Sequence, residues 1–388
     1  MEVVRRSPDG DDPSRAEASP AERAPRVLVS GVVLGQPAGG VRRHNAELLP
    51  RVARMLAEAG GSLSVLEGGE RISFELPAEV DRIESAVPAR PPIVRGPLEA
   101  RALRAEIARA RSAGRPYDLV HTAHFPVPRA LPIAYTLTVH DLRALSLAGT
   151  PIARRLIGRS VIGTAVRRAA LVIAVSESVR GELALRFRLD PSRVRLVPNA
   201  ADHFDPLPRA AGAGAPLVCV GHLEPRKNLE LVLRALALDP SLPRLELAGA
   251  AKGEEETRLR ELARELGVEG RVAFRGAFEE RELPGIYGRA ACIVLPSRLE
   301  GFGIVALEAR RARAPLAIAR IGSLLEVAGA DVPSFSPDDP AECAAAIRAA
   351  LRTTTEELED GAREAARWTW DISARAWFEA WCAAARAR

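Results

Sequence analysis

Two carboxylates bracket a glycine-containing loop in the segment PSRLEGFGIVALEARRARAP, residues 296–315. Glu300 precedes the tripeptide Gly301-Phe302-Gly303, and Glu308 lies about two turns into the helix predicted after it. Glycines expose main-chain amides and let a ligand approach closely, whereas carboxylates accept hydrogen bonds from hydroxyl groups. The spacing predicts that the two acids hold different parts of one long ligand rich in hydroxyl groups. Two solvated acids at a helix start are the alternative.

A second loop, VGHLEPRKNL, residues 220–229, places two adjacent cations beside a predicted helix. A predicted strand runs out at Gly221, Arg226 and Lys227 follow, and Asn228 can cap the helix with its side chain. Two fixed cations at a helix N-terminus form an anion site, and adjacent cations suit a diphosphate better than a single carboxylate. A solvated charge pair is the alternative for this loop taken alone.

Together the two loops predict a site for a sugar nucleotide. The diphosphate would lie on Arg226 and Lys227 and on the glycine amides, while Glu300 would hold the sugar and Glu308 the ribose. A polyol that carries a diphosphate, with hydroxyl groups at both ends, fits this set of groups.

The elements that must position these loops follow from the hydrophobic pattern. Short aliphatic runs alternate with amphipathic stretches, which is typical of α/β domains built on parallel sheets. Residues 26–33 form the first predicted strand, and a glycine-rich loop, residues 35–40, leads into a helix that ends at Gly60-Gly61. Three later runs, YDLVHTAH, AYTLTVHD and LVIAVSE, end in His, Asp or Glu where a loop should begin. Ligands of parallel sheets bind at such strand ends.

The chain is predicted to contain two domains, because 388 residues exceed what one hydrophobic core organises. Residues 1–24 are rich in Pro, Ser and charge, and we expect a disordered tail there. A first Rossmann-like domain is predicted at residues 25–204. A Pro, Gly and Ala-rich join, residues 205–216, then opens a second series of strands and helices.

Composition limits the partners. The net charge is +5, and the excess of positive charge lies in the N-terminal half. Only 4% of residues are aromatic and no nucleic-acid recognition motif occurs, so we expect no nucleic acid partner. An anionic acceptor or peripheral contact with an anionic membrane fits the charge better than nucleic acid does, but arginines that merely solvate helix faces explain it better than either.

No segment reaches the roughly 20 apolar residues of a membrane span. We therefore expect a cytoplasmic protein, either free or peripheral at the inner face of the membrane. The four cysteines are far apart in sequence and form no Cys-x-x-Cys pair, so neither a disulfide framework nor a zinc site is indicated.

We also expect no metal. Sugar-nucleotide enzymes that use a divalent ion usually present Asp-x-Asp at a strand end, and the one such motif here, Asp9-Gly10-Asp11, falls in the predicted tail. The charge of the leaving group would then be stabilised by Arg226, Lys227 and helix amides.

An ordered set of segments resembles glycosyltransferase family 4, the retaining transferases of GT-B fold. The segments, in chain order, are GGVRRH, TVHD, AVSESVRGEL, RVRLVPNAAD, VGHLEPRKNL, EETRLRELARELGVEGRVAFRGAF and EGFGIVALE. The resemblance runs from residue 26 to the C-terminus. It implies two Rossmann-like domains facing each other across a cleft, with the acceptor on residues 25–204 and the donor on residues 205–370. It also implies that residues 371–388 form a helix that crosses back to the first domain.

The resemblance implies roles for individual residues. Arg226 and Lys227 would hold the donor diphosphate, Glu300 the donor sugar and Glu308 the ribose. His140 would contact the transferred sugar near the reaction centre, so His140, Arg226, Lys227 and Glu300 are the expected catalytic residues. Further expected donor-binding residues are Gly40, Gly221, Gly301, Phe302, Gly303 and Ile304. Candidate acceptor-binding residues are Arg43, His44, His124 and Asp141.

Several of these residues also admit a purely structural interpretation. His44 and His124 suit a structural role as well as an acceptor site, and Phe302 is expected to wedge the loop rather than stack on a ligand. The four tryptophans of the last 21 residues are better explained by packing of the final helix than by a sugar-stacking platform.

Two positions depart from the family pattern. His222 stands where the family usually has Arg after Gly. Arg313 stands where it usually has Gly, in a Cys-Gly-x-Pro or Ala-Gly-x-Pro turn. The second change makes the loop near the donor more basic and less flexible, and could alter donor preference.

The sequence thus predicts a retaining, metal-independent transferase that moves a hexosyl group from a nucleoside diphosphate sugar. The TVHD segment favours mannosyl-like donors. The acceptor is left open between a glycan, a lipid carrier and a natural product. A sugar-nucleotide-binding regulator or partner subunit without turnover is the alternative. A Rossmann dehydrogenase is excluded because no Gly-x-Gly-x-x-Gly fingerprint follows the first strand.

Overall fold

A computed structural model describes residues 23–35, 40–128, 130–142, 145 and 152–387. The side chains of residues 152–155 are not part of that description. The predicted tail, apart from residues 23 and 24, lies outside the described residues, as do Asp9 and Asp11.

The first sheet is parallel throughout. Seven strands of the described residues form it, in the order β3-β2-β1-β4-β5-β6-β7. The strands are β1 (Arg26–Ser30), β2 (Ser62–Leu66), β3 (Asp81–Ile83), β4 (Leu119–Thr122), β5 (Tyr135–Val139), β6 (Leu171–Ala174) and β7 (Val194–Leu196). The helices of this half are α1 (Gly40–Glu58), α2 (Pro92–Ser112), α3 (Ile152–Arg168) and α4 (Glu177–Phe187).

The second sheet repeats this pattern. Six strands of the described part of the chain pair in parallel in the order β10-β9-β8-β11-β12-β13. They are β8 (Leu217–Val220), β9 (Leu245–Ala248), β10 (Val272–Gly276), β11 (Cys292–Leu295), β12 (Leu316–Ala319) and β13 (Ser334–Phe335). The helices are α5 (Leu229–Leu238), α6 (Glu255–Glu265), α7 (Leu283–Arg289), α8 (Ile304–Arg311), α9 (Gly322–Ala328), α10 (Pro340–Ala350), α11 (Thr355–Ala365) and α12 (Trp370–Arg386).

The central strands carry continuous aliphatic runs because helices cover both faces of each sheet. Every residue of β4, β6, β8, β11 and β12 is buried. The order of both sheets reverses at one point, between β1 and β4 and between β8 and β11. Loops at the carboxyl ends beside such a reversal form the ligand crevice of this type of sheet.

The expected α/β fold with two Rossmann-like sheets is confirmed, but three short strands were missed. β3, β7 and β13 have two or three residues each and lack a long aliphatic run. They lie at the outer edges of the sheets, where a strand needs fewer apolar side chains than in the centre. The first predicted strand is also shorter than expected, since it ends at Ser30 rather than at residue 33.

The last helix, α12, packs against α1 and the first sheet. Trp370, Trp377 and Trp381 are fully buried and belong to the same apolar core as β1 and α1. Their rings are therefore part of the domain core and do not form a sugar-stacking platform. The second half of the chain is tied to the first half through these aromatic contacts.

Candidate functional site

The centre of the site is a buried carboxylate held by two cations. Lys227 donates to Glu300 Oε1 at 2.6 Å, Arg226 donates to Glu300 Oε2 at 2.9 Å, and the Ser297 hydroxyl donates to Oε1 at 2.7 Å. Burial alone would raise the pKa of Glu300, but Lys227 and Arg226 outweigh it and lower the pKa to about 2. Glu300 is therefore ionised at every physiological pH. The structure brings together Arg226, Lys227 and Glu300, three of the four charged residues that the sequence assigned to the donor.

A second acid completes this cluster. Glu224 lies 2.6 Å from Arg226 Nη2 and 3.1 Å from Lys252 Nζ. Burial tends to lower the pKa of Arg226, but Glu300 and Glu224 raise it above its usual value. The cluster thus combines three cations, Arg226, Lys227 and Lys252, with two carboxylates.

Local backbone geometry fixes the cations. Residues Pro225–Lys227 form a 3-10 turn, and Asn228 follows in the left-handed conformation with φ 55°. The predicted side-chain cap by Asn228 is wrong, because Asn228 Nδ2 instead donates to the carbonyls of Pro296 and Pro337. These bonds tie the cation loop to the end of β11. The amide of Arg298 reinforces the tie by donating to the Arg226 carbonyl at 2.9 Å.

The backbone conformation at Gly221 favours glycine. Its φ is 121°, so a side chain at this position would be strained. A Cβ built there would lie 3.6 Å from Lys227 Nζ, which is an ordinary van der Waals contact. Gly221 thus lies directly beside the amine that pairs with Glu300.

Protein neighbours account for the two glycines of the Gly301-Phe302-Gly303 loop. A Cβ on Gly301 would lie 1.6 Å from the His140 carbonyl oxygen, across the boundary between the two domains. Gly303 has φ 92°, and a Cβ there would lie 2.6 Å from Leu324 Cδ2. The sequence assigned the glycines to close approach by a ligand, whereas the structure shows close approach by the opposite domain and by α9.

The Phe302 ring is not in the cleft. It is buried and meets Trp368 edge to face, with ring centroids 5.6 Å apart. This agrees with the wedge interpretation and leaves its side chain no part in donor binding. Ile304, the first residue of α8, is partly buried against two clusters of buried apolar residues, one of which includes Phe302.

Glu308 lies in a second, separate cluster. Tyr287 donates to Glu308 Oε2 at 2.5 Å, and His203 Nε2 lies 3.0 Å from Oε1. The Tyr287 ring stacks on Phe204, with centroids 5.9 Å apart and planes 14° apart. Burial and the nearby Glu308 raise the pKa of Tyr287 well above its usual value, so the phenol stays a donor.

Tyr287 and His203 were missed from the sequence. Tyr287 sits in α7, and His203 lies in the segment that joins the two sheets, so neither belongs to a strand end or glycine loop. The signal that could have found them is chemical: a phenol and an imidazole are partners for a buried carboxylate.

Arg43 reaches the donor domain from α1. It forms ion pairs with Glu280 of the second half and, at 3.7 Å, with Glu47 one turn along α1. Glu308 and Tyr287 also contribute to the field at its guanidinium. Arg43 therefore lies beside the Glu308 cluster rather than beside His124, with which the sequence grouped it. Gly40, at the start of α1, has open space around its Cα.

The two histidines His140 and His44 are stacked edge to face. Their ring centroids are 4.8 Å apart with an interplanar angle of 90°, and His44 also contacts the Trp377 ring. His44 Nδ1 lies 2.8 Å from Asn199 Oδ1, and burial lowers the pKa of His44 to about 4. His44 is fully buried, so it packs against the His140 ring and is not accessible to an acceptor. The structural interpretation of His44 is the one that fits.

His124 belongs to a buried polar network at the carboxyl end of β4. Its Nε2 lies 3.0 and 3.1 Å from the two oxygens of Glu99, which also accepts from Ser30 at 2.5 Å. Arg95 holds the following residue by donating to the Phe125 carbonyl at 2.6 Å. Burial would raise the pKa of Glu99, but His124, Ser30 and Arg95 lower it.

Asp141 lies where the two halves of the chain meet. Its Cβ is 3.3 Å from the position that a Gly301 Cβ would take. Its charge adds to the field that raises the pKa of Arg226. The candidate acceptor residues thus separate into distinct groups, with Asp141 at the cation cluster, Arg43 at Glu308, and His124 on Glu99.

Within the described part of the chain, no group of three or more His, Cys, Asp or Glu side chains is arranged to hold a metal ion. The same residues include no helix long and apolar enough to cross a membrane. The arrangement offers a pair of cations with a buried carboxylate between them, and a second buried carboxylate in a separate cluster.

Sequence profiles of two families match successive parts of the chain. "Glycosyltransferase Family 4" matches residues 38–203, and "Glycosyl transferases group 1" matches residues 212–368. A D-inositol 3-phosphate glycosyltransferase of Geodermatophilus obscurus is 29% identical over 420 residues, covering 96% of this chain and 91% of that protein.

Solved structures share the fold. Sucrose-phosphate synthase from Thermosynechococcus elongatus aligns with a TM-score of 0.69 and 23% identity, covering 90% of this chain and 96% of that one. The Anabaena protein Alr3699/HepE in complex with UDP-glucose aligns with a TM-score of 0.64 and 18% identity, covering 92% of this chain and 98% of that one.

Proposed function

The chain belongs to glycosyltransferase family 4 and is a glycosyltransferase of GT-B fold, and we propose that it transfers a hexosyl group from a nucleoside diphosphate sugar to an acceptor hydroxyl, with retention and without a metal. The observation that carries the proposal is the buried cluster of Arg226, Lys227 and Glu300. It combines a cation pair for a diphosphate with a carboxylate for a sugar.

The cation pair supplies the electrostatic stabilisation of the leaving group. As the bond between the sugar and the diphosphate breaks, negative charge grows on the diphosphate, and Arg226 and Lys227, adjacent in the 3-10 turn, stabilise it. Fixed charges in a site that excludes water stabilise such a transition state strongly. The departing phosphate oxygen takes the proton of the acceptor hydroxyl, so no separate base is required.

Glu300 and His140 act on the transferred sugar. Glu300 accepts hydrogen bonds from sugar hydroxyls, and its ionised state matches the positive charge that develops on the ring. The close approach of the His140 main chain to the Glu300 loop supports a role for its imidazole at the same sugar. Glu308 binds the ribose hydroxyls in exchange for part of its contact with Tyr287 and His203.

A UDP-sugar is the first donor to test, because the Anabaena structure of the same fold holds UDP-glucose. GDP-mannose is the second donor to test, because the TVHD segment favours mannosyl-like donors. For the acceptor, the basic N-terminal half suits a molecule with negative charge, such as the inositol phosphate named for the Geodermatophilus relative. A glycan, lipid carrier or natural product that bears an anionic group fits the same requirement.

We also propose that the protein works in the cytoplasm with its N-terminal half against an anionic membrane. Ile93, Val94 and Leu98 at the start of α2 are exposed, and Arg101 and Arg104 on the same helix are exposed beside them. Apolar side chains among arginines favour binding to an anionic bilayer surface. Sedimentation with phosphatidylglycerol vesicles should be lost in Ile93→Asp and should not occur with phosphatidylcholine vesicles.

The function is tested by a donor screen. The purified protein is incubated with UDP-, GDP- and dTDP-sugars, and release of the nucleoside diphosphate is measured without acceptor and with candidate acceptors. We expect release from at least one donor, accelerated by an acceptor. Binding of a nucleoside diphosphate with no turnover of any donor would instead support the alternative of a non-catalytic binding protein.

A further inference from the structure

Two serine hydroxyls hold the main chain on either side of the Glu300 carboxylate. Ser323, in α9, donates to the Glu300 carbonyl at 2.8 Å, and Ser176 donates to the Gly301 carbonyl at 2.6 Å. Both serines are buried. Ser323 belongs to the same half of the chain as Glu300, whereas Ser176 belongs to the other half, at the end of the first sheet. These two serines thus hold the Glu300 loop from within its own domain and from across the domain boundary.

Ser176 has a second, local bond that defines how its hydroxyl is used. It is the N-cap of α4, and its oxygen accepts from the Val179 amide at 3.1 Å. The Ser176 oxygen accepts from an amide of the helix, and its hydroxyl proton is donated across the domain boundary to the Gly301 carbonyl. The cap and the cross-domain bond are therefore chemically separate functions of one side chain, and substitutions can separate them.

Further contacts between the start of α4 and α9 fix how the two domains meet at this boundary. Glu326 of α9 accepts from the main-chain amides of Glu177 and Ser178 at 2.8 and 3.0 Å. A Cβ on Gly322 would lie 2.8 Å from Ser178 Oγ. The start of α4 therefore docks on α9, and this docking brings the Ser176 hydroxyl to the Glu300 loop.

We propose that Ser176 is a positioning residue, which holds the Glu300 loop in its catalytic conformation when the two domains are in contact. This inference rests on the proposed role of Glu300 at the donor sugar. The diphosphate site is built entirely from the second half of the chain, whereas the Ser176 bond needs both halves. Loss of the bond should therefore slow the chemical step and leave nucleoside diphosphate binding intact.

Three substitutions separate these effects. Ser176→Asp keeps an N-cap acceptor for α4 but has no proton to donate at neutral pH. Ser176→Ala removes both bonds. Asp339→Ser exchanges one N-cap acceptor for another at α10, where the Asp339 side chain accepts from the amides of Ala341 and Glu342. It is the control for a change of cap at another helix.

The experiment measures three quantities for each protein: hydrolysis of the best sugar nucleotide, UDP affinity by calorimetry, and melting temperature. We expect Ser176→Asp and Ser176→Ala to lower hydrolytic turnover by about tenfold, the scale of one lost hydrogen bond, with UDP affinity within about twofold of wild type. Both Ser176 variants should lower the melting temperature: Ser176→Ala by about 2–4 °C because it loses the cap, and Ser176→Asp because it buries a carboxylate beside the Gly301 carbonyl. Asp339→Ser should keep wild-type turnover and UDP affinity.

Wild-type turnover in Ser176→Asp would overturn the proposal, and so would an equal loss of UDP affinity, since that would show a general structural defect. If the wild-type protein turns over no donor, the proposed function fails, and amide hydrogen exchange of residues 299–304 still decides the role of Ser176. Exchange in this segment should be about tenfold faster in Ser176→Asp than in wild type. Unchanged exchange would contradict the positioning role.

Discussion

Lys227 and Glu300 form an ion pair of 2.6 Å in which both side chains are mostly buried. Without a donor, the carboxylate neutralises the cations that are expected to hold the diphosphate. Donor binding must therefore exchange the bonds of Glu300 to Arg226 and Lys227 for bonds from these cations to phosphate oxygens. The released carboxylate is then free to accept hydrogen bonds from the sugar next to the phosphates.

This exchange predicts the behaviour of Glu300→Gln. The substitution removes the charge that competes with the diphosphate, so UDP affinity should not fall. Turnover of the sugar nucleotide should fall by about 10²-fold, because contacts to the sugar matter most as positive charge develops on it. Steady-state kinetics with varied donor, together with UDP calorimetry, check both halves. Complete loss of UDP binding would show that Glu300 supports the nucleotide rather than the sugar.

Glu308→Gln should give the opposite result. Ribose contacts are the same in the ground state and the transition state, so their loss weakens donor binding with little effect on the maximal rate. We expect UDP affinity to fall by about tenfold, as for one bond to a charged group. Glu246→Gln is a matched control, because Glu246 pairs with Arg289 on the same domain. Unchanged UDP affinity in Glu308→Gln would remove Glu308 from the ribose site.

The proposed chemistry needs no divalent ion, so activity should survive chelation. We expect the rate of donor hydrolysis in an excess of EDTA to equal the rate without it, because Arg226 and Lys227 supply the charge on the leaving group. Rates with added Mg²⁺ or Mn²⁺ provide the comparison. A loss on chelation that either ion restores would require a metal at the diphosphate.

Arg313 occupies a position that favours glycine. Its φ is 54°, and the amides of Arg313 and Ala314 donate to the carbonyls of Arg310 and Ala309, which closes the end of α8 in a Schellman turn. This geometry explains the glycine that the family usually has here. Left-handed geometry costs a non-glycine residue about 1 kcal/mol.

Arg313→Gly should therefore stabilise the protein by about 1 kcal/mol and raise the melting temperature by about 2–4 °C. Ala312→Gly, one residue earlier at negative φ, is the control and should be neutral or destabilising. A melting temperature that falls in Arg313→Gly would mean that the arginine side chain contributes more than its backbone strain costs.

Buried histidines predict acid sensitivity. Burial lowers the pKa of His44 to about 4 from an unperturbed 6.5, and it lowers the pKa of His121 well below that value. The unfolded chain takes up these protons at a higher pH than the folded one, so stability is full above pH 6.5 and falls as the pH drops below it. Each histidine contributes a slope of about 1.4 kcal/mol per pH unit in this window.

Chemical unfolding between pH 6.5 and pH 5 measures this slope, above the range where lowered carboxylate pKa values matter. His44→Gln should reduce the slope by about 1.4 kcal/mol per pH unit and leave the dependence above pH 7 unchanged. An unaltered slope would show that the His44 ring is protonated in the folded protein.

The sequence was informative where local pattern determines structure. Continuous aliphatic runs predicted the central strands, and the rule that ligands bind at strand ends placed Arg226, Lys227 and Glu300 at one edge of the second sheet. β3, β7 and β13 were not predicted because an edge strand needs no aliphatic run.

Contacts between the domains were beyond the sequence. That Gly301 lies against the His140 carbonyl and that Ser176 donates to Gly301 both depend on how the two sheets are oriented. Hydrophobic periodicity carries no information about that orientation. Side-chain direction is the second limit, since Asn228 could cap α5 by sequence but turns to the carbonyls of Pro296 and Pro337 instead.

The most direct test of the proposed function is the turnover of Arg226→Ala, measured in EDTA with the best donor of the screen. Arg298→Ala is the matched control, because Arg298 lies in the Glu300 loop but pairs with Asp338 at the surface. We expect Arg226→Ala to lose about 10²-fold or more in turnover and Arg298→Ala to retain wild-type turnover. Near-normal turnover in Arg226→Ala would contradict the assignment of the diphosphate to this cluster.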